Sequence, residues 1–408
     1  MLNNVIIIGA GPAGLLAAIS AKNENNNVII IEKNERIGKK LFITGKGRCN
    51  ITNYSNTEDF FSKINTNSKF MYSSIYGYTN FDILELLSNY GLEYKVERGN
   101  RVFPKSDKSS DVIKTFKKII DDLKINIILN EKIDYIEKKD DIFNLYSKNN
   151  RYEADYVVIA TGGVSYPATG STGDGYKFAK NFGHTLVETE PSLVPLEIYS
   201  DYIKELQGVS LKNVEVSIKN KEKILQSEFG EMIFTHFGVS GPIILKLSNK
   251  IEKNRDIDIV IDLKPKLDKE TLDNRIIRDF EKYNNKDISN GLKDLLIQKL
   301  IPVILKEAKI DENKKVNQIT KEERAKLGET IKNLTFKFKS FRPIKDAIIT
   351  KGGISTKEIN PKTMESKIID NLYFAGEVID VDAMTGGYNL QVAYSTGYAA
   401  GRDINERT

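Results

Sequence analysis

The junction between a short apolar run and a glycine cluster near residue 10 constrains the fold of this chain more than any other feature. Val5 to Ile8 lead straight into Gly9-Ala10-Gly11-Pro12-Ala13-Gly14. A continuous apolar run of this kind reads as a buried parallel strand. The Ala- and Leu-rich stretch from Pro12 to Ala21 reads as a helix, and Val28 to Ile31 form a second strand that ends at Glu32, 18 residues beyond Gly14. Together they make a βαβ unit. Gly9 permits the tight turn after the strand, Gly11 lets the backbone approach a pyrophosphate, and Gly14 allows close helix–strand packing. The helix N-terminus then presents its free N–H groups to phosphate. Glu32 stands where an acid accepts hydrogen bonds from a ribose diol, and its charge opposes the 2′-phosphate of NADP. These residues specify a dinucleotide and leave FAD and NAD open.

The other end of the chain decides between them. Tyr156 to Ile159 form a strand that runs into Ala160-Thr161-Gly162-Gly163, a turn found beside the cofactor in many two-dinucleotide flavoproteins. Leu372-Tyr373-Phe374-Ala375-Gly376-Glu377 is another strand followed by an acid. Thr385-Gly386-Gly387-Tyr388-Asn389-Leu390-Gln391 then opens an Ala/Gly-rich helix. In FAD enzymes such an acid holds the ribityl chain, and the next helix aims its positive end at the flavin N1–C2=O region. An NAD dehydrogenase has no use for that second element, so FAD is the expected cofactor. Its expected contacts are Gly9, Gly11, Pro12, Ala13, Gly14, Glu32 and Lys33 at one end. Ile133, Ala160, Thr161, Gly162, Gly376, Glu377, Gly387, Tyr388, Asn389 and Leu390 follow along the chain.

Between these ends lies a glycine- and lysine-rich loop, from Arg36 to about Asn53, that supplies Lys40, Gly47, Arg48, Cys49 and Asn50 to the same set. Lys46 and Arg48 can neutralise phosphate, and Asn50 and Thr52 can hydrogen-bond flavin or phosphate oxygens. Cys49 is the chain's one cysteine. A single thiol excludes an internal disulfide and the paired-cysteine chemistry of disulfide reductases, and reads first as a packed side chain. The catalytic acid or base is not fixed by the sequence. His236, Tyr388 and Cys49 are the candidates, with a structural His236 as the alternative reading. Tyr166 flanks a glycine-rich turn near the expected flavin, and His184 reads as a helix-terminus residue. Two histidines and one cysteine do not make a metal centre, and no metal is expected.

The remaining sequence reads as one α/β domain built from both ends of the chain around an insert. The expected bounds are 1–190 with 343–408 for the FAD domain and 191–342 for the insert, β-rich over 191–267 and 334–342 and helical over 268–333. A mixed helical region is expected up to about Leu123, with an N-cap at Ser109 or Ser110. Short strands follow at Ile125–Leu129, Ile133–Ile136 and Phe143–Tyr146. The insert shows strand-like Val214–Ile218 and Ile257–Leu263, with a helix near Pro242–Ile251. Formal charge is +5, from 61 basic and 56 acidic residues. With the lysines scattered, no nucleic-acid partner is expected. No apolar run approaches the ~20 residues that span a bilayer, and Met-Leu-Asn-Asn enters the first strand without a signal-peptide pattern. No membrane partner and a cytoplasmic location are therefore expected; the oligomeric state is not legible.

These stretches carry a family resemblance. The chain resembles the FAD/NAD(P)-dependent flavoproteins that include aminoacetone oxidase-like enzymes and the bile-acid-pathway flavin reductase. The matching segments are Gly38-Lys39-Lys40 with Thr44–Asn53, Arg101-Val102-Phe103-Pro104, Ala160–Gly175, Thr235–Pro242 and Thr350–Gln391. They span essentially the whole chain. The resemblance implies a glutathione-reductase-like FAD-binding Rossmann domain interrupted by a β-barrel-like and helical insert. Members differ in reaction, so three functions stay open. The first is hydride transfer between NAD(P)H and a small organic substrate through flavin N5. The others are an O2-using amine oxidase and a redox switch that acts through a macromolecular partner. No second G-x-G-x-x-G follows a strand, so NAD(P)H is expected only as a transient co-substrate.

Overall fold

A computed structural model describes residues 2–251 and 256–408, and the expected β-rich stretch 191–267 includes residues 252–255, which lie outside the described residues. The chain divides into two compact units, Met1–Ser192 with Ile344–Thr408 and Leu193–Pro343.

The first unit is built on a five-stranded parallel sheet in the order Leu372–Phe374, Tyr156–Ile159, Asn3–Ile8, Asn26–Ile31, Asn126–Ile128. Ile7 pairs with Val158 on one side and Ile30 on the other, and all three are fully buried. Strands covered on both faces must be apolar along their length, which is why their sequences are unbroken runs. The helices Pro12–Ala21 and Tyr388–Arg407 pack at backbone distance. A Cβ on Gly397 would lie 2.2 Å from the Ala13 carbonyl oxygen, and one on Gly401 2.3 Å from that of Ala17. Two three-stranded sheets complete the unit with the antiparallel pair Leu186–Ser192 and Ile349–Ile354. One sheet is the meander Ile133–Lys139, Ile142–Ser147, Arg151–Ala154, and the other joins Thr52–Asn53, Arg101–Pro104 and Tyr94–Glu97.

The second unit is a closed barrel in the order Leu196–Tyr199, Gly238–Ser240, Lys223–Phe234, Ser210–Asn220, Asp258–Asp262, Leu334–Phe341, closed by pairing of the last strand with the first. Its own core joins barrel residues such as Val216, Phe234 and Ile259 to Leu272, Ile276, Ile304 and Leu327 of the helices Lys269–Lys282, Ile301–Ala308 and Lys321–Lys332. The expected α/β class, a Rossmann-type domain accompanied by a barrel with helices, is what the chain adopts.

Several local expectations differ. The loop expected over Arg36–Asn53 contains the helix Lys39–Gly47, broken where Thr44 turns extended at ψ 150° and Gly45 and Lys46 turn left-handed. The mixed helical region expected up to Leu123 includes, besides its helices, the strands Tyr94–Glu97 and Arg101–Pro104, which were not individually expected. Ser109 does not cap its helix. It is the first helical residue, and its hydroxyl donates to the Phe42 carbonyl at 2.8 Å. No helix among the described residues is long and apolar enough to cross a membrane.

Candidate cofactor site

The glycine turn shows which of its residues serve the protein and which leave room for something else. A Cβ on Gly9 would come within 2.6 Å of the Ala160 carbonyl oxygen, and one on Gly14 within 1.9 Å of the Gly9 carbonyl oxygen. Both glycines are therefore demanded by the fold. Gly11 is not: its backbone is extended at φ −81°, ψ −179°, and nothing stands within 4 Å of where a Cβ would project. Space kept open beside a bare backbone, at a helix N-terminus with no side-chain cap, suits the close approach of a diphosphate.

Glu32 is buried at the end of its strand and held rigidly. Its Oε2 accepts from the Ala10 N–H at 2.8 Å, and its Oε1 from the N–H and Nδ2 of Asn34 at 2.8 and 2.6 Å. A carboxylate has about four acceptor positions, so one remains for a ribose hydroxyl. Ile133 begins the meander strand close by, since the Glu131 N–H donates to the Glu32 carbonyl at 3.0 Å. Lys33 is engaged by the protein itself. Its ammonium meets Asp174 at 2.6 Å and Thr172 at 2.5 Å. Burial alone would raise the Asp174 carboxyl, but Lys33 and Thr172 bring it below the ordinary value.

Ala160 continues the strand Tyr156–Ile159, with its N–H bonded to the Ile8 carbonyl at 2.9 Å, and Gly162 turns left-handed two residues later. The buried Thr161 hydroxyl has no protein partner. Gly376 is also left-handed, and its N–H donates to Thr396 Oγ1 at 2.9 Å. The next residue, Glu377, was expected to hold a ribityl chain. Its oxygens accept from Lys40, Ser165 and the Thr350 N–H, which leaves one acceptor position, as at Glu32.

At the start of the last helix, Gly387 sits so close to Thr52 that a Cβ would lie 2.3 Å from the Thr52 carbonyl carbon. Asn53 Nδ2 donates to the Gly386 carbonyl at 3.0 Å, and Thr52 Oγ1 to Gln391 Oε1 at 2.8 Å. The Lys46–Asn53 segment and the helix start are thus one assembly. Tyr388 is buried edge-on to Phe60, with ring centres 5.0 Å apart, and burial pushes its phenol pKa up. Leu390 packs on the core. Asn389 closes its own turn, bonding both the N–H and the carbonyl of Ala383 at 2.8 and 2.7 Å.

The remaining loop residues divide. Gly47 is left-handed with open space beside it, and Asn50 Oδ1 is buried without a partner. Those features suit a polar ligand edge. Arg48 does not stand ready to neutralise phosphate as expected. Glu97 and Asp107 both pair with its guanidinium, which lies 4.0 Å over the Phe103 ring. The Cys49 thiol is fully buried, and burial pushes it up to about 12, against a weak opposing bond from Thr44. It is a packed thiol at neutral pH, not a reactive thiolate.

Of the histidines, His184 follows the helix Asp174–Asn181 as expected. Its buried ring meets Ser366 Oγ at 2.9 Å and Glu358 at 3.4 Å, edge-on to Phe374. His236 belongs to the barrel unit, exposed and edge-on to Phe237, whose ring lies 4.4 Å beneath Arg342. Tyr166 is half-buried, 6.0 Å from the Lys40 ammonium. Ser165 and Thr350 were not anticipated, because neither lies in a pattern that points to Glu377. Among the described residues no group of three or more His, Cys, Asp or Glu side chains is placed to hold a metal ion.

The open Gly11, the rigid Glu32, the unpartnered Thr161 and Asn50 atoms and the uncapped helix at Gly387 fit an extended flavin dinucleotide. Comparisons with known proteins agree. A family model described as "HI0933-like protein Rossmann domain" matches residues 3–403. The chain is 30% identical to the 3-dehydro-bile acid delta(4,6)-reductase of Clostridium scindens, over 100% of both chains. It is also 30% identical to the ribosomal RNA dihydrouridine synthase of Haemophilus influenzae, over 98% of both. Among solved structures, the 3-ketosteroid-delta4-(5alpha)-dehydrogenase of Rhodococcus jostii RHA1 covers 99% of this chain and 97% of its own, with a TM-score of 0.52 at 13% identity. That likeness is one of fold.

Proposed function

The chain belongs to the HI0933-like Rossmann-domain family and is an FAD-dependent oxidoreductase; from that premise we propose that it saturates a carbon–carbon double bond conjugated to a carbonyl, with NAD(P)H as electron source. What carries the reading is a chemistry common to two relatives with dissimilar names. A 3-dehydro-bile acid with Δ4,6 unsaturation is a dienone. Dihydrouridine is uridine whose C5–C6 bond, conjugated to the C4 carbonyl, has been saturated. For either substrate class the chemistry required is hydride addition to a carbon made electrophilic by conjugation to the carbonyl (β in an enone or uracil, β or δ in a dienone) and a proton to the neighbouring carbon of the same double bond.

Bound FAD supplies the hydride. In this reading Gly11 and the first turn of the helix Pro12–Ala21 hold its diphosphate and Glu32 its ribose. The uncapped helix start at Gly387 would offer its free N–H groups to a flavin that gains negative charge on reduction. Tyr388 would give the proton to the carbon next to the one that takes hydride; a phenol is protonated at neutral pH, and burial raises its pKa further.

The substrate divides into a small enone and a uracil ring within RNA. One observation favours the RNA reading against the expectation of no nucleic-acid partner. Leu193–Pro343 holds 29 of the 61 basic residues and 24 of the 56 acidic ones, so the whole net charge of +5 resides in that unit. A surplus gathered on one unit supports a phosphate-bearing substrate better than a scattered one.

Anaerobic titration tests the proposal. NADH or NADPH should bleach the flavin absorbance, and a 3-keto-Δ4 steroid or a uridine-containing RNA should then restore it. No bleaching by either nicotinamide, together with peroxide release from a small amine in air, would overturn it in favour of an amine oxidase.

A further inference from the structure

Lys40, Ser165, Thr350 and Glu377 come from four separate stretches of the chain and close into one polar cluster. The Lys40 ammonium donates to Glu377 Oε2 and, at 2.7 Å, to Ser165 Oγ. The Ser165 hydroxyl donates to Glu377 Oε1 at 2.7 Å, and the Thr350 N–H donates to the same oxygen at 2.9 Å. Thr350 Oγ1 in turn accepts the N–H groups of Val164 and Ser165 at 2.9 and 3.1 Å. Glu377 Oε1 is thereby fixed by the Thr350 N–H and by Ser165, whose own N–H is anchored on Thr350. Lys40 is the more exposed partner, on a four-carbon arm, with its side chain 22% exposed against 12% for Glu377.

The two charges reach each other from opposite flanks of the glycine turn. Lys40 lies just beyond Gly38, whose N–H donates to the Ala10 carbonyl at 2.9 Å. Glu377 follows Gly376, where a Cβ would lie 2.8 Å from that of Ala13. On the reading proposed above, a dinucleotide would run from Glu32 past Gly11 to the helix start at Gly387, and so past this ion pair. We propose that the Lys40–Glu377 pair is a latch that retains FAD: closed, it slows departure of the cofactor, and it contributes little to folding of the unit.

The test uses FAD-loaded protein and reads cofactor release as the rise of free-flavin fluorescence on dilution. Lys40→Met should release FAD roughly 10- to 100-fold faster, the loss of one partly buried charge-assisted hydrogen bond. Lys40→Arg should stay close to the parent. Added salt should speed release from the parent and leave Lys40→Met unchanged. The double variant Lys40→Met/Glu377→Gln should release no faster than the worse single one, since either change opens the same latch. Multiplying effects in the double variant would overturn the proposal, by showing two independent contacts. So would an FAD-free Lys40→Met protein that melts well below the FAD-free parent, because the pair would then be a structural brace. If Lys40→Met does not fold, Glu377→Gln is measured in its place, and release at the parent's rate overturns the latch.

Discussion

The unit formed by Met1–Ser192 and Ile344–Thr408 contains 22 of the 28 glycines, whereas Leu193–Pro343 contains six. The contrast goes beyond composition. In the first unit backbone meets backbone: Gly14 against the Gly9 carbonyl, Gly387 against Thr52, Gly397 and Gly401 against the helix Pro12–Ala21. The second unit has such contacts at Gly238 and Gly241, against Leu196 and Met232, and is otherwise held by side-chain packing of Ile, Leu, Val and Phe around a closed barrel. A surface that must admit a dinucleotide to within hydrogen-bond reach of main-chain N–H groups cannot be covered with side chains, and its neighbours then close to backbone distance. A barrel that closes on its own apolar interior has no such requirement. The two units should therefore fail in different ways when mutated.

The largest difference is expected at Gly14. In Gly14→Val the first branch atom collides with the Gly9 carbonyl oxygen, 1.9 Å from the Cβ position. No FAD-loaded protein should be recovered, as judged by the ratio of flavin to protein absorbance. Normal loading would break the comparison outright. In the barrel unit, Ile304→Ala removes a fully buried side chain, and a loss of about 2–5 kcal/mol in urea unfolding is expected. Its flavin-to-protein ratio should be unchanged. A milder effect on the cofactor side is Glu32→Gln, which keeps the shape and removes the charge that orders Ala10 and Asn34. FAD affinity should fall roughly 10- to 100-fold in equilibrium titration.

Acid sharpens the contrast further. Burial lowers the pKa of His184 below its ordinary 6.5, against an opposing pull from Glu358. The unfolded chain then binds the proton more readily than the folded one. Stability from this residue is fully present above about pH 6.5 and is lost as pH falls through that value toward the lower folded pKa. Thermal melting followed at the flavin should show the decline, and His184→Gln should flatten it. The smallest effect has the opposite sign. Gly328 lies inside the helix Lys321–Lys332 with nothing within 4 Å of its Cβ position, so Gly328→Ala should stabilise the protein by about 0.5–1 kcal/mol.

The same contrast explains what the sequence disclosed. Tyr156–Ile159 and Leu372–Phe374 could be read at their observed bounds because strands covered on both faces are unbroken apolar runs. Lys223–Phe234 could not, because this long barrel strand is half exposed, carries charges and is interrupted by Gly230. Its partners across the barrel supply the order that its own pattern lacks. At the cofactor site, residue types were legible and pairings were not. Arg48 announced a cation, but Glu97 and Asp107, which claim it, lie 49 and 59 positions away. Lys40 and Glu377 were both expected near FAD, yet 337 positions separate them and nothing local says that they meet. The helix break at Thr44 was hidden for the converse reason. Lysines and glycines suggest a loop, while packing of Leu41 in the core draws out a turn of helix first.

The position of Leu372–Phe374 beside Tyr156–Ile159, and of Tyr388–Arg407 against the first helix, has a consequence for biosynthesis. Translation delivers the first four sheet strands early, then all of Leu193–Pro343, and only afterwards the strand and helix that finish the sheet. At about 5–20 residues per second that interval lasts on the order of ten seconds or more. Through it the nascent chain carries an unpaired strand edge at Tyr156–Ile159 and an uncovered small-residue face on Pro12–Ala21, both invitations to wrong partners. Chaperone occupancy should peak in this window, and yellow colour should develop only once the last helix has left the ribosome.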